Sequence, residues 1–341
     1  MYLKHNASKN QPMNIDNTPV RKGNLVMADM AQKKKTAKAR ASNRRRIGYA
    51  GVLLAPALML LMVFAWACGS DPTSEDATAD EPTPEITAAA PEFVDFDANN
   101  FERSTVIDNE WTPMVPGTKW VYDGFTIENN EKIPHRVEFT VTDLTKEIQG
   151  VRTVVASIVD ISNGEVVERE IAFYAQDNDG NVWYFGEHPE EYKAGVFDNA
   201  PTWIAGIEEA KPGVKMWADP RVGMPSYFQG WAPTVDWSDY GTVDRAGEKV
   251  CVPSGCYEDV LVIAESSLDE VSIYQLKYYA RGVGEIQTGW RGNTESPEEL
   301  QLVESDQLSP EALAAVRAEA LALEAHAYKI SGEYYYTTPS E

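Results

Sequence analysis

Three cysteines and four histidines in 341 residues leave little soft-ligand chemistry. A structural zinc site gathers four such ligands, and no stretch of this chain does so; no metal and no cofactor is expected. The chain has no glycine-rich phosphate loop, no HExxH and no GxSxG, the spacings that announce nucleotide binding, zinc proteolysis and serine hydrolysis. Basic residues are scarce over most of its length. Residues 1–67 hold 12 Lys/Arg and 2 Asp/Glu, and the remainder holds 18 against 51, a net charge of −33 there. Such a body repels phosphate backbones and anionic lipid heads, so nucleic acid is not a partner. Only one long hydrophobic run exists, which excludes a multi-span membrane protein, and the composition excludes collagen-like and coiled-coil classes.

That run, residues 47–67 (IGYAGVLLAPALMLLMVFAWA), is 21 residues without a charge. At ~1.5 Å per residue a helix of this length crosses a hydrocarbon core of ~30 Å. Lys33, Lys34, Lys35, Lys38, Arg40 and Arg44 to Arg46 precede it, and the acids Asp71, Glu75, Asp76, Asp80, Glu81 and Glu85 follow. The positive-inside bias puts residues 1–46 in the cytoplasm and everything after 67 outside. The run ends Phe64-Ala65-Trp66-Ala67-Cys68-Gly69, which resembles a bacterial lipobox. That resemblance implies lipidation of Cys68, with Cys68 as the mature N-terminus. Ala65 and Trp66 depart from the usual pattern, and the run exceeds the 7–15 residues of a cleaved signal; an uncleaved single-span anchor is the alternative. Residues 68–91, rich in Pro, Thr, Ala, Asp and Glu, bury too little apolar area to offset their ordering entropy and are expected to form a disordered acidic tether.

Residues 92–304 carry a strand pattern. In 133–144 (IPHRVEFTVTDL), Val137, Phe139 and Val141 alternate with Glu138, Thr140 and Thr142, the period of a half-buried strand. Residues 151–161 are apolar on both faces. Asn163-Gly164 and Asp179-Gly180 mark turns, with Val167, Ile171, Phe173 and Ala175 on one strand face between them. The rhythm resumes at 249–252, 260–264, 271–280 and 283–288. Seven or eight antiparallel strands, closed as a barrel or folded as a sandwich, are expected. Residues 187–250 hold six prolines and seven glycines and read as long irregular loops, packed over the sheet by their aromatics. Residues 305–341 hold one helix: Ser309 is its N-cap, Pro310 its first residue and Glu311 sits at the positive dipole end. Leu313, Val316, Ala320, Leu323 and Ala327 form its apolar stripe, which docks on the domain or meets a partner.

Candidate chemistry is sparse. Cys251 and Cys256 bracket VPSG, and in an oxidising compartment they are expected to form a disulfide across a turn. His188 lies in EHPEE, read as a solvated acidic turn. Asp177-Asn178-Asp179-Gly180 lacks the acid an EF-hand needs at its first position, and a hairpin turn explains it.

Residues 174–187 (YAQDNDGNVWYFGE) and 278–285 (YYARGVGE) resemble signatures of a widespread group of bacterial secreted proteins and lipoproteins of unknown function. Pro116-Gly117 before KWVY at 119–122, and Val252-Pro253-Ser254-Gly255 before Val260, fit that group too. The resemblance covers roughly residues 93–292 and implies a β-rich exported domain with no catalytic residue to carry over. The preferred reading is a non-enzymatic β-domain, tethered outside the cytoplasm by a lipid or single helix, that binds a ligand or an envelope component. Trp217, Tyr227, Trp231 and Trp237 are the candidate ligand-binding residues, since pockets pair aromatic walls with few polar groups. The alternatives are a secreted hydrolase using Asp219, Asp236 and Asp239, and a structural envelope protein working through its helix.

Overall fold

The computed structural model describes residues 90–341 apart from positions 129, 271 and 295. The apolar run at 47–67, Cys68 and nearly all of the expected tether lie outside these residues. Among the described residues no helix is long and apolar enough to cross a membrane.

The strands in chain order are β1 (Thr118–Glu128), β2 (Glu131–Ile148), β3 (Val151–Ser162), β4 (Glu165–Gln176), β5 (Val182–Lys193), β6 (Val196–Asn199) and β7 (Trp203–Ile204). They continue as β8 (Lys211–Met216), β9 (Tyr227–Ala232), β10 (Trp237–Val252), β11 (Gly255–Ser266), β12 (Tyr274–Ala280), β13 (Gly284–Arg291) and β14 (Glu298–Gln307). Each pairing between them is antiparallel. β1 pairs with both β2 and β14, and the β4–β5 and β5–β8 pairings complete a ring of twelve strands; β6 and β7 add to β5 outside it. The fold is therefore a closed antiparallel barrel rather than a sandwich.

Closure follows from tight local turns. Gln149-Gly150 (φ 53° and 82°), Asn163-Gly164 (51° and 83°) and Ala194-Gly195 (50° and 71°) are left-handed at both central residues, the hairpin geometry that matches strand twist. Antiparallel order places the β1–β2, β3–β4, β5–β6, β9–β10, β11–β12 and β13–β14 turns at one end, called here the mouth. The β2–β3, β4–β5, β8–β9, β10–β11 and β12–β13 turns lie at the other, the foot. At the foot, Trp111 and Trp120 are buried, and Trp120 Nε1 donates to the Val283 carbonyl at 2.8 Å.

The expectation of loops at 187–250 is corrected: β8, β9 and β10 are full barrel staves. Glycines within these staves serve close approach rather than strand breaking. A Cβ on Gly230 would stand 2.6 Å from the Trp237 ring and 2.9 Å from Trp203, and one on Gly213 would stand 2.3 Å from the Phe228 carbonyl oxygen. Only glycine lets those groups in.

Outside, β1 and β2 carry an ion-pair ladder: Lys119–Glu138 at 2.6 Å, Arg136–Glu138 at 3.0 Å and Arg136–Asp123 at 2.9 Å. The helix α1 (Pro310–Ile330) packs against β2 and β4, and Ser309 Oγ caps it by accepting from Ala312 N at 3.2 Å. Ala320 and Ala327 of the expected stripe are buried. Glu324 is buried in the same stripe, where Lys146 Nζ meets it at 2.8 Å. Lys146, 0% exposed, also donates to the Thr338 carbonyl at 2.6 Å, and Glu324 accepts from Tyr334 and Ser340. This pair fastens the C-terminal residues to the barrel wall.

The disulfide forms as expected. Cys251 and Cys256 face each other across the β10–β11 hairpin, Cα–Cα 4.0 Å, at the foot.

Candidate functional site

Strand registry decides which side chains enter the barrel. From Val137, Phe139 and Val141 on β2, the partners Asp160, Ile158 and Ala156 on β3 share the inner face, and through them Glu168, Glu170, Ala172 and Tyr174 on β4. The apolar face of β4, with Ile171 and Phe173, turns outward beneath the helix: the Phe173 ring lies 6.4 Å from that of Tyr334. Likewise Gln275, Lys277 and Tyr279 of β12 face inward, while Leu276 joins Val262 and Ala264 in a small separate cluster packed with Tyr274 and Tyr278. The barrel is polar inside toward its mouth.

The inner aromatics form one connected group. Trp203 and Trp237 stack at 4.7 Å, Tyr184 meets Trp203 edge-on at 5.2 Å, and Tyr174 stacks on Tyr184 at 4.8 Å. Glu187 accepts from Trp203 Nε1 at 3.0 Å and from the Tyr184 hydroxyl. Tyr184 OH also lies 3.4 Å from Glu170 Oε1. Burial and the mutual repulsion of these acids raise Glu170 well above the ordinary carboxyl range, and burial raises Glu187. Burial and the Glu187 charge push Glu168 up to about 7. Yet Glu168, Glu170 and Glu187 each retain accessible surface although they point inward, so side chains do not fill the lumen.

Across the barrel the charges pair. Lys215 Nζ sits 2.7 Å from Glu265 Oε1, which also accepts from Gln229 Nε2 at 2.8 Å. Burial opposes the Glu265 charge, but Lys215 and Lys277 outweigh it and hold its carboxyl low. Lys277 Nζ lies 3.4 Å from Glu285 Oε1. His135 Nε2 lies 3.2 Å from Asp160 Oδ1 and 3.1 Å from Glu298 Oε1. Burial disfavours its charge, and these two carboxylates prevail, raising it to about 10.

At the mouth the lumen opens in a cavity of about 320 Å³ lined by Asp239, Glu265, Glu270 and Glu298, the hydroxyls of Ser266, Ser267, Thr294 and Ser296, and Gln275, Tyr274 and Trp290. Asp239 feels Glu265, Lys215, Glu187 and Lys277 through space; burial first, then Glu265, lifts it to about 7. One cavity thus holds a carboxyl near its protonation midpoint at neutral pH beside one that stays ionised.

The four aromatic candidates are not brought together. Trp237 is in the lumen group. Trp217 and Tyr227 meet edge-on at 5.4 Å, Trp217 following β8 at the foot and Tyr227 at the foot end of β9. Trp231 faces outward, because Gln229, the extra residue between the Gly230–Asp239 and Phe228–Tyr240 pairs, switches the face of β9; it meets Phe93 at 6.1 Å and Lys211 Nζ at 5.3 Å. Of the three candidate acids, Asp239 lines the cavity, Asp219 is exposed and pairs with Arg221 at 3.1 Å, and Asp236 is exposed after a short 3-10 turn. His188 is not in a solvated turn. It is buried in β5, its Nδ1 2.6 Å from Thr202 Oγ1 and its Nε2 3.2 Å from Glu190 Oε1, and His326 of α1 reaches the same Glu190 oxygen at 2.6 Å. Among the described residues no cluster of three or more His, Cys, Asp or Glu is arranged to hold a metal ion.

The familiar stretches have architectural work. Asp177 accepts from Asp179 N, Asn181 N, Asn181 Nδ2 and Trp183 Nε1, tying the β4–β5 turn to its own strand. Arg281 lies over the Trp111 ring at 4.1 Å and pairs with Glu110.

No protein-family model matches the chain, and comparison with curated proteins gives no match. Among solved structures, the chain is similar to one from Bacteroides fragilis, provisionally described as an exported protein with a YmcC-like fold. It shares 12% identity over 58% of this chain and 99% of that one, with a TM-score of 0.35. A provisional lipoprotein from Parabacteroides distasonis shares 14% identity over 58% of this chain and 100% of that one, with a TM-score of 0.32.

Proposed function

We propose that this protein is a ligand-binding barrel held outside the cytoplasm by a membrane-targeting segment, and that its ligand enters the lumen through the mouth. The observation carrying this reading is the cavity of about 320 Å³ at the mouth, where Asp239, Glu265, Gln275 and Glu298 stand beside Tyr274 and Trp290. Small-molecule sites combine such aromatic walls with a few fixed polar groups. Placement outside the cytoplasm rests on the charge asymmetry around residues 47–67, and the Cys251–Cys256 disulfide fits an oxidising compartment. Cys68 is the proposed lipid attachment point.

The hydrolase reading survives in narrower form, with Asp239 and Glu265 in place of the dispersed loop acids. A cavity with one carboxyl shifted up and one held down has the makings of a general acid and its charged counterpart.

The test is native mass spectrometry of the full chain extracted from its own membrane in mild detergent, beside Ser296→Trp, which places an indole at the rim. A small molecule should travel with the wild type and be lost or strongly reduced in the variant. Retention of the same molecule by Ser296→Trp would move the site elsewhere.

A further inference from the structure

The lumen is short of cations. Among the described residues its bases are His135, Lys215 and Lys277, each already matched to carboxylates. Among the described residues Asp239 has no such partner, and at the mouth it shares the cavity with Glu265, Glu270 and Glu298. Trp290, 37% exposed, adds an indole to the same wall. A second observation points to polar contents deeper in. Tyr227 and Tyr279 are each 2% exposed, and their hydroxyls find no hydrogen-bond partner among the described residues. Both feel the Glu265 charge, and a Cβ at Gly241 would stand 3.0 Å from the Tyr227 hydroxyl, so the backbone itself makes room for that group. Buried polar groups are as a rule satisfied.

We infer that the mouth cavity binds a small organic ammonium cation, its charge set against Asp239 and Glu270 and its alkyl groups against the Trp290 indole. This rests on the lumen reading above and names the chemistry of its ligand. Uncompensated carboxyls in a partly desolvated space favour a cation, and an indole face adds its own attraction. The groups acting on Asp239 are Glu265 and Glu187, which hold its proton on, and Lys215 and Lys277, which oppose them. A bound cation joins the second pair, so binding drives the Asp239 proton out to solvent. One proton leaves as one cation enters.

The experiment is isothermal titration calorimetry of the full chain in detergent with choline and with its uncharged isostere 3,3-dimethylbutan-1-ol, in buffers of differing ionisation heat. Choline should bind at least about tenfold more tightly than the isostere. Its affinity should rise with pH below about 7, approaching tenfold per unit, the slope of one released proton. Asp239→Asn, which removes a buried charge and should fold, should abolish both the slope and the buffer-dependent heat. Trp290→Ala should weaken choline by roughly three- to thirty-fold. Equal binding of the isostere, an unchanged pH slope in Asp239→Asn, or no choline binding would each overturn the inference. If native mass spectrometry instead finds an uncharged or anionic molecule that Ser296→Trp excludes, the cation fails while the lumen reading stands. A lumen that holds nothing removes both.

Discussion

Lys146 and Glu324 make the most quantitative test of how the helix is fastened. Both are buried, and they meet at 2.8 Å with exposures of 0% and 6% for the two side chains. Burial pulls the Lys146 amine down, and Glu324 only partly restores it. Removing one member leaves the other charge buried without its counter-ion, which costs about 3–5 kcal/mol. Lys146→Met also strips the Thr338 carbonyl and the Tyr328 hydroxyl of a donor, and Glu324→Leu releases Ser340 and Tyr334. Thr338 is exposed and Ser340 half-buried, so water can replace what they lose, and buried Tyr334 alone keeps an unreplaced hydroxyl. The double variant Lys146→Met/Glu324→Leu should therefore recover most of the loss, giving a coupling energy of roughly 2 kcal/mol or more. Urea unfolding followed by tryptophan fluorescence measures all four proteins. Additive losses, or single variants costing under about 1 kcal/mol, would show that the pair is hydrated and that the C-terminal residues are held by something else.

The disulfide closes a short ring, so Cys256→Ser should lower stability by up to about 2 kcal/mol, a difference that vanishes in reductant; a loss that persists in reductant would assign it to packing at the foot. Stability should fall as pH rises from about 5 to about 9. Asp239 and Glu168, raised to about 7, contribute stability below the ordinary carboxyl range that is lost as pH climbs through 7. His135, raised to about 10, contributes fully below its ordinary value and loses that contribution toward 10. Glu265 and Glu298, held low, act the other way only in stronger acid, and buried His188, held low by burial, offsets part of the fall below about 6.5. Thermal melts that improve from about pH 5 to about pH 8 would contradict this balance. Gly230→Ala should cost about 1–3 kcal/mol by overpacking and shift the emission of the Trp203–Trp237 pair; an unshifted spectrum would mean the stack does not rest on that glycine.

The strand content and the capped helix were legible because they rest on local signals: alternation at Val137, Phe139 and Val141, and Ser309-Pro310-Glu311 ahead of the helix. Three things were not. Alternation names two faces but not which is inside, and in β4 the apolar face serves the helix while Glu168 and Glu170 serve the lumen. Glycine and proline counts cannot separate loops from staves, since Gly213 and Gly230 are there to admit the backbone of an adjacent strand and two indoles. The site draws on strands far apart in sequence, as with Lys215 and Glu265, so no local motif announces it. One signal was available: Lys277 and Gln275 alternate with Tyr274, Leu276 and Tyr278 in a strand flanked on both sides by others, where a charge needs a partner inside.

In the proposed barrel the mouth leads into a lumen open to small molecules and to nothing larger. That access is tested most directly by Gln275→Cys, whose side chain lines the cavity, placed in a Cys68→Ser background with the native disulfide intact. A small methanethiosulfonate should modify the new thiol within minutes, and a polyethylene-glycol maleimide should not. A thiol inert to both reagents would mean the lumen is sealed, and one open to both would mean that no enclosed site exists there.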